Sequence, residues 1–480
     1  MKNAILFLLL VPTLLLSQSQ IGGDLDGEAA NDLFGEVVSV SPDGSLIAIA
    51  STQNNSNIGH VRVYENQSGS WVKLGNDIDG ENINDFFGSG LDLSSVGDAS
   101  IVIIGSPGRN SSTGNVTVFI YSEFTNGEWV ELEDRDGLNL GDAFGNSLSS
   151  ILNINGYVAV GIPFNDDNGL ISGQVRLYNY LDGFGTLRTY NSDEAFDLFG
   201  TSVSGINHDN NGVILAVGAP GNNSGYVKVF QVNNQIGSNI VGEATGDTFG
   251  TSVSLSGDGN ILAVGAPLNG GNGLSAGHVR VFENQSDNWV QLGSDIDGEA
   301  SGDQSGTSVS LSSDGTVLAI GAPFNNGPGS NSGHVRIYKF QSNTWVQKGS
   351  DINGEAAQDE FGTSVSLSSD GNTLVVGGPK NNGNGNSSGH ARVFDLSLVL
   401  SSDDFVLQQF SVFPNPASDV INVQLKDNVE LKKINIYNSL GQFISSTTKT
   451  TIPTNNLSKG YYFVEVETNN GKASKSVIIK

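Results

Sequence analysis

The strongest constraint on this chain is that it repeats itself. The copy from Asp295 to Ser350 reads DIDGEASGDQSGTSVSLSSDGTVLAIGAPFNNGPGSNSGHVRIYKFQSNTWVQKGS, and its neighbours on both sides nearly reproduce it. Alignment on one glycine finds seven copies, at Gly35, Gly88, Gly145, Gly200, Gly250, Gly306 and Gly362, spaced 50 to 57 residues apart. Self-similarity at such a period means a unit that cannot bury its apolar face alone and must stack on its neighbours. Each copy carries four candidate strands, here SVSLS, LAIGAP, HVRIYKF and TWVQKG, separated by turn residues. Four short strands per repeat at this period make a propeller blade. The expected fold is therefore all-β, a seven-bladed β-propeller.

The ends of the repeat support closure into a ring. The last copy stops after HARVFDL at Leu396 and lacks a fourth strand, whereas the segment QIGGDLDGE from Gln20 resembles that missing strand. Pairing of Gln20 to Leu25 with the seventh copy would close the circle and cover exposed sheet edges. The chain has no cysteine, so neither disulfides nor thiolate metal sites are available and closure has to hold the ring.

The N-terminus has Lys2, an apolar stretch from Ala4 to Leu16 broken by Pro12, and then the polar Ser17 to Gln20. This reads as a secretory signal peptide over residues 1–19, with cleavage after Ser17 or Ser19, and no later segment is apolar enough to span a membrane. Of the net charge of −28, residues 20–408 carry 45 acidic against 13 basic side chains, while residues 409–480 carry eight Lys and five acids. Such an acidic field repels phosphate backbones, which excludes nucleic acid as a partner.

The phrases FGTSVSLS (Phe249 to Ser256) and VGAP (Val264 to Pro267) give residues 20–400 a resemblance to the FG-GAP repeat family, known from integrin α-subunit propellers. The resemblance implies a fold and leaves function open, because one scaffold hosts many activities. Integrin-type calcium loops place a run like DxDxDGxxxD between the first two strands. This sequence has only short SPDGS and SSDGT turns there, so those sites do not carry over.

Residues present in every copy are read first as scaffold. An Asp stands three residues before each repeated glycine (Asp32, Asp85, Asp142, Asp197, Asp247, Asp303 and Asp359), placed to bond nearby backbone N–H groups. Trp71, Trp129, Trp289 and Trp345 read as packing residues, as do His60, His278, His334 and His390. A second reading has these histidines bonding the repeated Asp.

The acidic motif of the loops between copies, as in DLDGEAAND and DIDGEASGD, supplies candidate calcium ligands at Asp24, Asp26, Asp77, Asp79, Asp295, Asp297 and Asp351. Strand alternation puts these loops on the same face as the variable, Asn- and Gly-rich loops between second and third strands. That face is the candidate binding surface. The histidines show no zinc-protease spacing and there is no nucleophile elbow, so a non-enzymatic role is expected.

After Leu396 the repeat ends, residues 401–409 read as a linker, and residues 410–480 alternate like a small antiparallel β-sandwich. This segment resembles the type A sorting domain of the type IX secretion system. The matching positions are Pro414, Asn415 and Pro416 at its start, Gly441 in the middle, Gly460 and Tyr461, and the basic end at Lys480. The resemblance implies export through the periplasm, with the secretion machinery as partner and the cell surface or medium as destination. The leading expectation is a secreted or surface adhesion protein for glycan or protein ligands. A polysaccharide-acting hydrolase or lyase is the rival, with a carboxylate pair near the axis joined by His208 or Arg109, and a purely structural matrix component is the third reading.

Overall fold

The computed structural model describes residues 18–480, apart from 97–98, 152–155, 209–211, 233, 402–409, 426–428, 439–441 and 469–470. The expected signal peptide thus lies almost wholly outside the described residues. No helix among these is long and apolar enough to cross a membrane. The chain divides into two units with a boundary at Leu396.

In the first unit, Gln18–Leu396, each copy of the repeat forms one antiparallel sheet. The sixth copy is typical, with strands Ser308–Leu311, Val317–Ala322, His334–Gln341 and Thr344–Gln347 paired in chain order. Its first strand alternates partly exposed Ser308 and Ser310 with buried Val309 and Leu311. Its second strand is buried at every position, because neighbouring sheets cover both of its faces.

The first strands of successive copies lie side by side in a closed cycle, in which Val37–Val40 touches both Gly90–Val96 of the second copy and Ser364–Leu367 of the seventh. A belt of hydrogen bonds runs round that cycle. Serine hydroxyls accept backbone N–H groups of the following copy: Leu93 N to Ser39 Oγ (3.0 Å), Gly205 N to Ser149 (2.9 Å), Leu255 N to Ser204 (3.0 Å), Leu311 N to Ser254 (3.0 Å), Leu367 N to Ser310 (3.0 Å) and Val40 N to Ser366 (3.2 Å). The second copy has Asp92 instead, whose Oδ2 accepts Ser150 N at 2.6 Å.

Closure uses the N-terminal segment. Ser19–Gln20 pairs with Asp395 and Phe394, and Leu25–Asp26 pairs with Ala391 and His390, so both add to the seventh sheet's third strand. The apolar core is correspondingly divided between sheets. One cluster joins Ile47 and Ile49 of the first copy to Val375 and Val393 of the last, with Ile21 and Leu25 packed against it. The repeated glycine is required where consecutive sheets meet. Gly35 has φ +94, and a Cβ there would lie 2.2 Å from the carbonyl oxygen of His390.

In the second unit a three-stranded sheet (Phe410–Phe413, Val420–Leu425, Thr451–Pro453) and a four-stranded one (Phe443–Thr447, Leu431–Asn438, Gly460–Thr468, Gly471–Ile479) share one core. Ile421, Val423, Ile434, Ile436, Val464, Val466, Val477 and Ile479 form it.

Candidate functional site

The loops between copies are tied to the loops between second and third strands by main-chain bonds, such as Phe34 N to Ser388 O and Phe361 N to Ser332 O, both 3.0 Å. The repeated Asp stabilises this layer as the scaffold reading expects. Its Oδ2 accepts backbone N–H groups three residues upstream, including Ala29 to Asp32 (2.7 Å), Ala244 to Asp247 (2.9 Å) and Ala300 to Asp303 (2.9 Å). Asp142 instead accepts the side-chain amides of Asn139 and Asn165. The indoles of Trp129, Trp289 and Trp345 donate to carbonyls of the preceding copy, Leu74, Ile236 and Leu292, at 2.9, 3.2 and 2.9 Å.

The same face also exposes apolar side chains. Leu170 and Phe196 are 55% and 52% exposed, and Phe196 N donates to Leu170 O at 2.8 Å, so the two are neighbours. Ile83, Leu138, Leu140 and Leu274 are exposed on other loops of this face. The Asn, Asp and Gly content of these loops draws attention away from such apolar tips in the sequence. Their signal is one or two apolar residues set in an otherwise polar loop, as Leu138 and Leu140 are in DGLNLGD.

Where the first strands begin, a cavity of about 360 Å³ is lined by residues of all seven copies, among them Glu36, Ser89, Asn146, Thr201, Thr251, Thr307 and Thr363. Glu36 is the single carboxylate of that lining. Burial raises its carboxyl pKa, against a hydrogen bond from the Thr52 hydroxyl and the charge of Lys380. Arg109, one candidate companion for a carboxylate pair, is held by Glu81 at 3.0 Å, with Asp134 and Asp136 nearby at 3.8 and 3.9 Å. The side chain of His208 lies outside the described residues.

The calcium candidates separate into two sets of three, with Asp77 apart. Asp26, Asp79 and Asp297 lie directly across the strand pair from His390, His60 and His278. Burial, then the neighbouring Asp24, raises the Asp26 carboxyl. Asp24, Asp295 and Asp351 each join a buried histidine and a glutamate: Asp24, Glu355 and His390; Glu243, His278 and Asp295; Glu299, His334 and Asp351. In each trio the ligand atoms fall within 4.8 Å of one another.

Asp77 differs from these. Burial works against its charge, yet Lys73 and Arg62 hold its carboxyl below the usual range. Arg62 Nε and Lys73 Nζ approach its two oxygens at 3.1 and 2.9 Å. The histidines form no hydrogen bond to the Asp32 series through Nε2, which has no partner in His60, His278, His334 or His390. Burial lowers the pKa of all four, to about 4 for His334 and His390.

In the second unit, Asn415 Oδ1 accepts Ile478 N and its Nδ2 donates to Ser476 O, both at 3.0 Å, while Lys480 N donates to Ala417 O at 2.9 Å. The Pro414 to Pro416 segment is thereby fastened beside the final strand. Gly460 opens the strand Gly460–Thr468, where Tyr461 is exposed, and Gly441 lies outside the described residues.

Residues 411–480 match the family described as secretion system C-terminal sorting domain, and residues 242–282, 296–338 and 353–394 each match the FG-GAP repeat. The sorting domain marks proteins exported by type IX secretion to the cell surface or the extracellular space, and implies contact with that machinery. No curated protein matches the chain.

Proposed function

We propose that this exported FG-GAP-repeat chain is a non-enzymatic binding protein, in which the seven sheets form a seven-bladed β-propeller that presents its loop face to glycan or protein ligands in adhesion. The cyclic succession of first strands and the serine belt support the propeller reading. The observation that carries the binding role is the exposed pair Leu170 and Phe196, set among loops rich in Asn, Asp and Gly. An aromatic face beside amide and carboxylate groups suits a sugar, whose C–H face stacks while its hydroxyls hydrogen-bond. A cavity with one carboxylate favours binding over glycoside hydrolysis, which needs two.

The test is binding of the purified chain to a broad glycan array, with calcium and again with chelator, for the native protein and for Phe196→Ser. Hits lost in Phe196→Ser support the reading. A blank array under both conditions refutes glycan recognition and moves the face toward a protein ligand.

A further inference from the structure

We infer that the three His, Asp and Glu trios are sites for a zinc-class divalent cation, one each on the fifth, sixth and seventh copies. Each trio is assembled the same way. The glutamate comes from the loop entering the copy (Glu243, Glu299, Glu355), and the histidine opens the third strand (His278, His334, His390). The aspartate lies beyond the outer strand (Asp295, Asp351 and, for the seventh copy, Asp24 from the N-terminal segment).

The imidazoles of His334 and His390 face the carboxylates. His334 Nδ1 lies 3.9 Å from Glu299 Oε2 and 4.0 Å from Asp351 Oδ2, and His390 Nδ1 lies 4.0 Å from Asp24 Oδ2. His390 is completely buried, and neither of its ring nitrogens has a hydrogen-bond partner. A buried imidazole nitrogen without a partner, held beside carboxylate oxygens, can give its lone pair to a cation that those oxygens also bind. Ligands about 2.1 Å from a tetrahedral ion stand about 3.4 Å apart, so small movements of the exposed glutamates would complete coordination.

Other side chains hold several of these carboxylates: Arg280 lies 3.7 Å from Asp295 Oδ1, and Arg392 lies 3.7 Å from Asp24 Oδ1 and 3.9 Å from Glu355 Oε1. Gln20, Gln291 and Gln347 donate from Nε2 to Oδ1 of Asp24, Asp295 and Asp351 at 2.7, 2.6 and 2.6 Å. Arg336 lies 3.9 Å from Glu299 on Oε1, the oxygen away from His334. These contacts orient the carboxylates as outer groups orient metal ligands. Two carboxylates and one imidazole suit zinc and not calcium, which takes six to eight oxygens.

The first copy supplies a natural contrast. There Lys73 stands at the position of Gln20, Gln291 and Gln347. Arg62 pairs with Glu28 as Arg336 and Arg392 pair with Glu299 and Glu355, but here Lys73 also holds Asp77 at 2.9 Å, and His60 joins no trio. Three sites are therefore expected and not four. The seventh would clip the N-terminal segment to the last sheet.

The test is zinc content of the full chain after equilibration with Zn²⁺ and desalting, together with visible absorption after Co²⁺ loading. The native chain should hold three zinc ions, and each of Glu243→Gln, Glu299→Gln and Glu355→Gln should lose one. The triple variant should lose all three and the cobalt band, with unchanged circular dichroism, and calcium in excess should not displace zinc. A native chain holding less than one zinc overturns the inference. So does zinc that persists in the triple variant, which would mark general binding to an acidic surface.

Discussion

Asp92 gives a sharp test of the serine belt. Six copies place serine at this belt position, and the second places a carboxylate whose pKa is pushed up to about 6, chiefly by burial and against hydrogen bonds from Ser150 and Ser39. An unfolded Asp titrates near 3.9. The native state therefore holds its proton more tightly, so this group favours folding below about pH 4, and that contribution is lost as pH rises through about 6. Two pKa units correspond to about 3 kcal/mol, and partial solvent contact of Asp92 reduces this to roughly 1–2 kcal/mol at pH 7.5.

Asp92→Ser keeps an acceptor in the belt and removes the titration. It should be more stable than the native chain by that amount at pH 7.5 and about equal to it at pH 4. Urea unfolding followed by tryptophan fluorescence reads the repeat unit alone, because Trp71, Trp129, Trp289 and Trp345 all belong to it. A variant shifted equally at both pH values, or less stable at pH 7.5, would refute the reasoning, since a packing change would not depend on pH.

Gly35→Ala should cost about 1–3 kcal/mol from the positive φ alone, and more from displacing the His390 carbonyl 2.2 Å from the new Cβ, read as a lower urea midpoint. Phe361→Ala removes a fully buried ring packed 5.8 Å from His390 and 6.4 Å from Phe394; about 3–5 kcal/mol of stability should be lost, and a loss below 1 kcal/mol would contradict the burial. Deleting Phe410–Lys480 should leave the chain in the periplasm, as read by cell fractionation; undiminished surface or medium protein would show that another segment directs export.

Much of the layout is legible in the residues because a repeat writes its own alignment. The glycine spacing delimits the copies, and the unmatched third strand at Leu396 and spare fourth strand at Gln20 are visible as text, so the pairing of Gln20 with Phe394 needs only that the ends meet. The capping role of Asp32 and its equivalents is equally local, since a carboxylate three residues from an amide has one obvious partner. The sorting domain is likewise readable, as its marks are short motifs in a fixed order.

Other features depend on residues about fifty positions apart, which only the cyclic stacking of sheets brings within hydrogen-bonding distance. Ser254 and Leu311 form one link of the belt, although SVSLS by itself reads as an ordinary half-buried strand. The DxDGE motif suggests equivalent aspartates, yet Asp77 is held by Lys73 and Arg62, while Asp24, 3.7 Å from Arg392, also faces His390 from the other end of the chain. Sequence periodicity determined the units and their order, because strand pairing and turn chemistry act locally. Which cationic side chains and which buried imidazole each carboxylate meets was decided by tertiary structure, because charge and desolvation depend on distance in space and not along the chain.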